Sequence, residues 1–303
     1  MDGLHGIVVA TVTPMRRDQT LDLGALRELV EFLVGAGVHG LFGLASQGEF
    51  YCLDRDERRR VARVMVRAAR GRLPVVVNTG TVSTAAALRL SREAEAEGVD
   101  AVGLITPFYL KPGPQELFEH YRAVLRGVKC PLYAYNNPGR AGGVGLDSRT
   151  VIRLAEASSR FAGIFDATGD LLAARRYARL QGGRFGYFLA GRMELTEAMQ
   201  AGARGAVLAT ANAAPKEFVA LYEAVRDGEP ARALRMRKGL EPLHMLFRTG
   251  PFPGTMKACL ETLGLRAGPP RRPALPASRE VRARAARILG RLGGLPPGPL
   301  HPA

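Results

Sequence analysis

Long hydrophobic runs are missing from this chain of 303 residues, and no stretch has the length that a membrane span needs. Near the N-terminus, an acidic Asp2 precedes an apolar run at 7–10, too short for the core of a signal peptide. Cysteine is scarce. Cys52, Cys130 and Cys259 are odd in number, far apart, and fit neither a CxxC nor a zinc spacing, which excludes a disulfide scaffold. They read as reduced thiols, and a cytoplasmic location is the expectation. The five histidines are scattered with no HExxH or other ligand pairing, so neither a metal nor another cofactor is expected. Lysine is rare as well: Lys111, Lys129, Lys216, Lys238 and Lys257 are all there are.

Positive charge is abundant, a formal +15 from 43 Lys+Arg against 28 Asp+Glu, and it is carried mostly by arginines along the whole length. No basic block stands out in the first 250 residues and no basic run is interleaved with aromatics. The charge therefore supports solubility and steering of small anions, and nucleic acid is not an expected partner. A hydrophobic share of 47% is ample for a full core.

Short apolar runs alternate with longer amphipathic ones. The runs lie at 6–11, 40–44, 74–78, 101–105, 132–136, 161–165, 185–189 and 205–209. Each is followed by a helical pattern, at 23–36, 54–69, 83–97, 114–126, 147–157, 171–180, 194–201 and 215–226. Eight such units predict an α/β fold, a TIM (β/α)8 barrel, which takes about 250 residues. A doubly wound open sheet is the alternative; it usually has a glycine-rich turn after its first strand, where Thr11-Val12-Thr13-Pro14 stands here. Asp54, Ser83 and Asp147 mark helix starts, and Gly37, Gly98, Gly127 and Gly202 mark helix ends. The expected division is a barrel over 1–228, a C-terminal helical extension over 229–292 with helices at 230–247, 254–263 and 278–292, an extended Pro/Arg-rich linker at 268–277, and a disordered tail over 293–303.

The stretch that organises the chain is PLYAYNNPGRAG at 131–142. Tyr133 and Tyr135 lie two apart and share one side of a strand, after which Asn136, Asn137, Pro138 and Gly139 break it and Arg140 adds a fixed cation. The same pattern fits a tyrosine-rich strand whose hydroxyls merely find partners, so the neighbouring strand ends have to decide. They offer Thr11 and Thr13, a small-residue turn at 45–49 whose amides can cradle a carboxylate, Asn78-Thr79-Gly80, the loop from Thr106 to Pro112, and Ala209 to Asn212. Hydroxyls, one guanidinium and backbone amides suit a small 2-oxo acid, with tyrosines as proton carriers.

In order along the chain, GIVVATVTP, GLFGLASQGE in place of the usual GTTGE turn, PFYLKP, LYAYNNPGRAG, GIFDATGD, GAVLATANAAP and GPFPGTMKACLETLGL resemble the N-acetylneuraminate lyase and dihydrodipicolinate synthase family of class I aldolases. The resemblance runs roughly from residue 6 to residue 265. It implies a TIM barrel with a C-terminal helical extension, assembled as a homotetramer or homodimer. It also implies a lysine at the end of strand six that forms a Schiff base with pyruvate. The matching position here is Phe165. Tyr135 matches the proton-shuttling tyrosine, Ser46 the relay hydroxyl, and Tyr109 the tyrosine lent by a neighbouring subunit. Ser46 and Gln47 match the pair that holds the pyruvate carboxylate, with a hydroxyl lost at Gln47. Arg140 matches the carboxylate-binding arginine at the entrance, and Val207 the residue whose carbonyl faces the site. Arg192 stands where an acidic residue often follows the glycine after strand seven, altering contact with the far end of a substrate.

The resemblance therefore implies a pocket for pyruvate or a related 2-oxo acid, with aldol-type lyase or synthase chemistry impaired at Phe165. Of the five lysines Lys111 is the least implausible substitute amine, because its loop lies at the catalytic face and its stem is long. Two alternatives stay open: a catalytically silent metabolite-binding or interaction protein, its contacts resting on the basic C-terminal helix, and an imine-independent hydratase or enolising enzyme using Tyr135, Ser46 and Tyr109.

Overall fold

The computed structural model describes residues 4–293. Eight parallel strands form the centre: β1 (Gly6–Ala10), β2 (Gly40–Gly43), β3 (Val75–Asn78), β4 (Ala101–Ile105), β5 (Leu132–Asn136), β6 (Phe161–Asp166), β7 (Gly186–Ala190) and β8 (Gly205–Leu208). They pair in chain order, and β8 returns to β1, closing the expected (β/α)8 barrel. The strand sequences read as unbroken apolar runs because side chains fill the barrel inside and helices cover it outside. Tyr135 on β5 is level with Ile105 on β4 and with Phe165 on β6, so these strand ends meet at one height.

The crossovers are α1 (Leu23–Gly35), α2 (Arg55–Ala69), α3 (Thr84–Ala96), α4 (Pro114–Gly127), α5 (Ser148–Ala157), α6 (Leu171–Tyr177), α7 (Leu195–Gln200) and α8 (Pro215–Arg226). The expected caps hold: Asp54, Ser83 and Asp147 accept from the amides of Glu57, Ala86 and Thr150. Gly37, Gly98 and Gly202 follow their helices in the left-handed region. Gly127 differs. It is the last residue of α4 with Val128 as its cap, and a Cβ there would collide with Leu88, so this glycine serves the close packing of α4 on α3. The helix expected over 171–180 stops at Tyr177 and a 3-10 turn, Leu180–Gly183, follows. Gln181 explains the break: its amide nitrogen donates to the carbonyls of Ala155, Ser158 and Phe161, which holds the turn against α5.

Three helices follow, α9 (Pro230–Thr249), α10 (Gly254–Thr262) and α11 (Arg279–Arg291). The 268–277 segment is extended, yet far from loose. Arg271 grips both Glu57 oxygens at 2.7 and 2.8 Å and donates to the carbonyls of Cys52 and Gln19. The tail expected to be disordered lies, apart from Gly293, outside the described residues. Among the described residues no helix is long and apolar enough to cross a membrane.

Two histidines make stability depend on acid. His39 accepts from the Ile7 amide at 3.1 Å, and His120 meets the Thr84 hydroxyl at 2.8 Å. Desolvation depresses both, each to about 4. The unfolded chain takes up these protons near the ordinary value of about 6.5, so stability present above it is lost as pH falls towards 4. For His120 the loss is at most about 3 kcal/mol. Urea midpoints from pH 7 to pH 4 should fall less steeply in His120→Gln than in the unaltered chain; parallel slopes would remove His120 from the account.

Candidate functional site

A cavity of about 830 Å³ opens where the strands end, between the barrel mouth and α9. Its best-ordered corner comes from β2 and β5. After β2 the chain turns through Leu44 at φ +56°, a 3-10 turn at Ser46–Gly48, and Glu49 at φ +55°. The Thr13 hydroxyl donates to the Gly48 carbonyl at 2.7 Å and fixes the turn. This aims Ser46 Oγ at the Tyr135 hydroxyl, 3.1 Å away. Asn137 Nδ2 donates to the same hydroxyl at 3.0 Å, so the phenol is held from two sides.

Aromatic rings lie beneath that corner. Phe42 lines the cavity and stands edge-on to Tyr135, centroids 5.4 Å apart. Phe165 sits below, fully buried, 4.9 Å from Phe42, stacked on Tyr133 at 5.0 Å and edge-on to Phe188 at 5.5 Å. The floor is thus hydrocarbon, packed in favoured ring geometries.

The rim is charged. Arg140 lies over the Phe252 ring at 3.7 Å, a contact that orients its guanidinium at the mouth. Arg192 donates to Glu194 Oε1 at 3.0 Å and packs on Gly169, whose φ of +75° and missing Cβ leave room for it. Gln47 is buried; its amide nitrogen donates to the Pro253 carbonyl at 3.2 Å while Oε1 has no partner among the described residues.

Ser46, Gln47, Tyr135, Arg140, Arg192 and Val207 therefore line one cavity, as their positions at strand ends imply. Tyr109 does not join them: in the single chain it stands 92% exposed at φ +79°. The ends of β3 and β4 stay out too. Asn78 Oδ1 accepts from Gly80 and Ile105, Thr79 meets Ser91, and Thr106 donates to Val144, so these groups hold loops together. Lys111 is exposed and away from the cavity, whereas Lys238, on α9, lines it. Lys111 is therefore not among the lining residues as a substitute amine, and Lys238 is, because α9 folds back over the mouth. Also unforeseen were Asn137 and the α9 residues Arg237, Glu241, His244 and Arg248. Their spacing of four, three and four puts them on one helix face, a signal present in the sequence.

The Dihydrodipicolinate synthetase family profile matches residues 3–292. The chain belongs to this family. Its relatives in the family include a 4-hydroxy-tetrahydrodipicolinate synthase of Methanopyrus kandleri, 36% identical over 97% of this chain and 98% of that protein. Another, from Thioalkalivibrio sulfidiphilus, is 38% identical over 86% and 88%. Among solved members, the chloride-inhibited dihydrodipicolinate synthase of Acinetobacter baumannii, complexed with pyruvate, superposes with a TM-score of 0.90 at 31% identity, covering 97% of this chain and all of that one. A monomeric dihydrodipicolinate synthase variant superposes at 0.91 with 28% identity, over 96% and 98%.

Proposed function

We propose that this chain binds pyruvate or a related 2-oxo acid at the Ser46–Tyr135 corner, and that aldol turnover through an imine is lost because Phe165 occupies the family's Schiff-base position. The observation that carries the reading is a retained hydroxyl pair, 3.1 Å apart, directly above a floor of phenyl rings. The 3-10 turn uses the Gly48 and Glu49 amides on Ala45 and Ser46, which leaves the Ser46 and Gln47 amides at its open end for a carboxylate. Arg140 supplies a cation at the rim. A pyruvate complex of the Acinetobacter baumannii relative supports the ligand class.

The same reading divides the chain into a barrel over 1–228 and a helical extension over 229–292, and makes it a homodimer or homotetramer. Tyr109 and Leu110, 92% and 64% exposed, then reach a neighbouring copy's cavity. A second reading is favoured by the Tyr135 cluster: with Asn137 donating, the phenol can pass a proton to or from Ser46 without any imine, as an enolising or hydrating enzyme requires.

Pyruvate at about 100 times its Kd should stabilise the chain by about 2.7 kcal/mol. That raises the Tm by several degrees, at about 2–4 °C per kcal/mol, and Arg140→Ala should weaken the effect. No shift with pyruvate or a panel of 2-oxo acids would sink the pocket.

A further inference from the structure

The cavity is much larger than its ordered corner. At about 830 Å³ it lies near the top of the range for drug-sized ligands, so a three-carbon acid leaves most of it empty. Five cationic side chains line it against the carboxylates of Glu194 and Glu241. On the side facing the strand ends is α9, where His244 and Arg248 lie four residues apart and hence one above the other on the helix.

Two observations mark this wall as a built site. His244 is 6% exposed, lines the cavity, and its buried Nδ1 has no partner among the described residues. Native proteins rarely leave such an atom unsatisfied, and the deficit ends when a ligand oxygen arrives. Among the described residues, Arg248 has no carboxylate and no hydrogen-bond partner, although it lines the same cavity. Burial holds the His244 ring below the usual histidine range; Glu241 and Glu194 act to raise it, and Arg248 and Arg192, the latter from the end of β7, act to lower it. The neutral ring offers one N–H donor on a wall that also carries Arg248, Arg192, Glu241 and Glu194. Arg192 is partly neutralised by Glu194, whereas among the described residues no carboxylate pairs with Arg248, nor with Arg140 or Lys238 elsewhere on the lining.

We propose that His244, Arg248 and Arg192 form a second anion subsite that takes the terminal carboxylate or phosphate of an extended 2-oxo acid. The inference rests on the proposed keto-acid corner at Ser46 and Tyr135, and it gives the substrate class: a 2-oxo acid with a second anionic group at its far end. A carboxylate or phosphate suits this wall because guanidinium pairs with either through two parallel N–H bonds.

Three acids matched in length test it by calorimetry on the full chain: 2-oxopentanoate, 2-oxopentanedioate and 2-oxo-4-phosphonobutanoate. At least one dianionic acid should bind about tenfold or more tightly than 2-oxopentanoate, the gain of a charge-assisted bond. The arm with the larger gain identifies carboxylate or phosphate as the natural end group. Arg248→Gln, an exposed position whose change leaves the fold intact, should reduce that preference to about one while 2-oxopentanoate still binds. His244→Gln should reduce it in part. Equal affinity for all three acids on the unaltered chain, or a preference that survives in Arg248→Gln, overturns the subsite and leaves the keto-acid corner standing. If none of the three binds, inorganic phosphate decides. Stabilisation by phosphate that vanishes in Arg248→Gln upholds the subsite without the corner, and no effect of phosphate overturns both.

Discussion

Pyruvate with borohydride should leave the unaltered chain free of any adduct and add one reduced pyruvyl group to Phe165→Lys, read by intact mass. On the proposal that Phe165 stands in the Schiff-base position, the introduced amine has what it needs. Its stem would lie among Phe42, Tyr133 and Phe188, where desolvation disfavours the ammonium and frees the lone pair. The amine adds to the ketone and water leaves, giving an imine; borohydride then delivers hydride to the imine carbon and fixes a secondary amine. Tyr135, level with Phe165 on the neighbouring strand and hydrogen-bonded to Ser46, would then move the protons. Loss of a catalytic nucleophile in a protease costs on the order of 10⁶ in turnover, and aldol activity regained by Phe165→Lys should be of comparable scale over the unaltered chain. Replacing a buried phenyl ring costs about 3–5 kcal/mol when a cavity results, so Phe165→Leu serves as the stability control. An adduct on the unaltered chain would sink the proposal, and peptide mapping to Lys238 would name the amine that has taken over.

The barrel was legible in the sequence because two independent signals agreed. Strands buried on both faces read as unbroken apolar runs such as GIVVA and AVGLI, and the helices between them carry side-chain caps at Asp54, Ser83 and Asp147. The strand-end residues Ser46, Gln47, Tyr135 and Arg140 were legible for the same reason, since a closed barrel brings all its strand ends to one face. The α9 wall was not. Its residues are polar and mostly charged, and such a stripe looks the same whether it faces solvent or a cavity; only the path of the chain after α8 distinguishes the two. Asn137 was read as a strand breaker, and its amide turns out to hold the Tyr135 hydroxyl. Gln181 shows the other limit: a polar side chain that satisfies three carbonyls at once overrode a helical pattern that the sequence carried to residue 180.

Lys257→Met should destabilise the chain by about 3–5 kcal/mol, the range for a buried ion pair broken on one side. Lys257 is 1% exposed; its Nζ lies 2.6 Å from Glu49 Oε1 and donates to the Pro269 carbonyl at 2.9 Å. Glu49 is fully buried, and its other oxygen accepts from the Arg271 amide at 2.7 Å. Without the ammonium, a buried carboxylate keeps a single amide donor. Burial holds the Lys257 ammonium below the usual lysine range in spite of Glu49, and taking two charges out of water offsets most of their mutual attraction. The pair itself therefore contributes little net stability, and replacing both partners should be far milder than replacing one. Urea midpoints for Lys257→Met, Glu49→Gln and the double variant measure this directly, and a double variant no more stable than Lys257→Met would refute it. The consequence reaches the site. Glu49 ends the turn that presents Ser46 and Gln47, while Arg271 ties the extended segment to Glu57 at the start of α2. Breaking the pair should thus loosen the Ser46–Tyr135 corner and weaken pyruvate binding, even though Lys257 does not line the cavity.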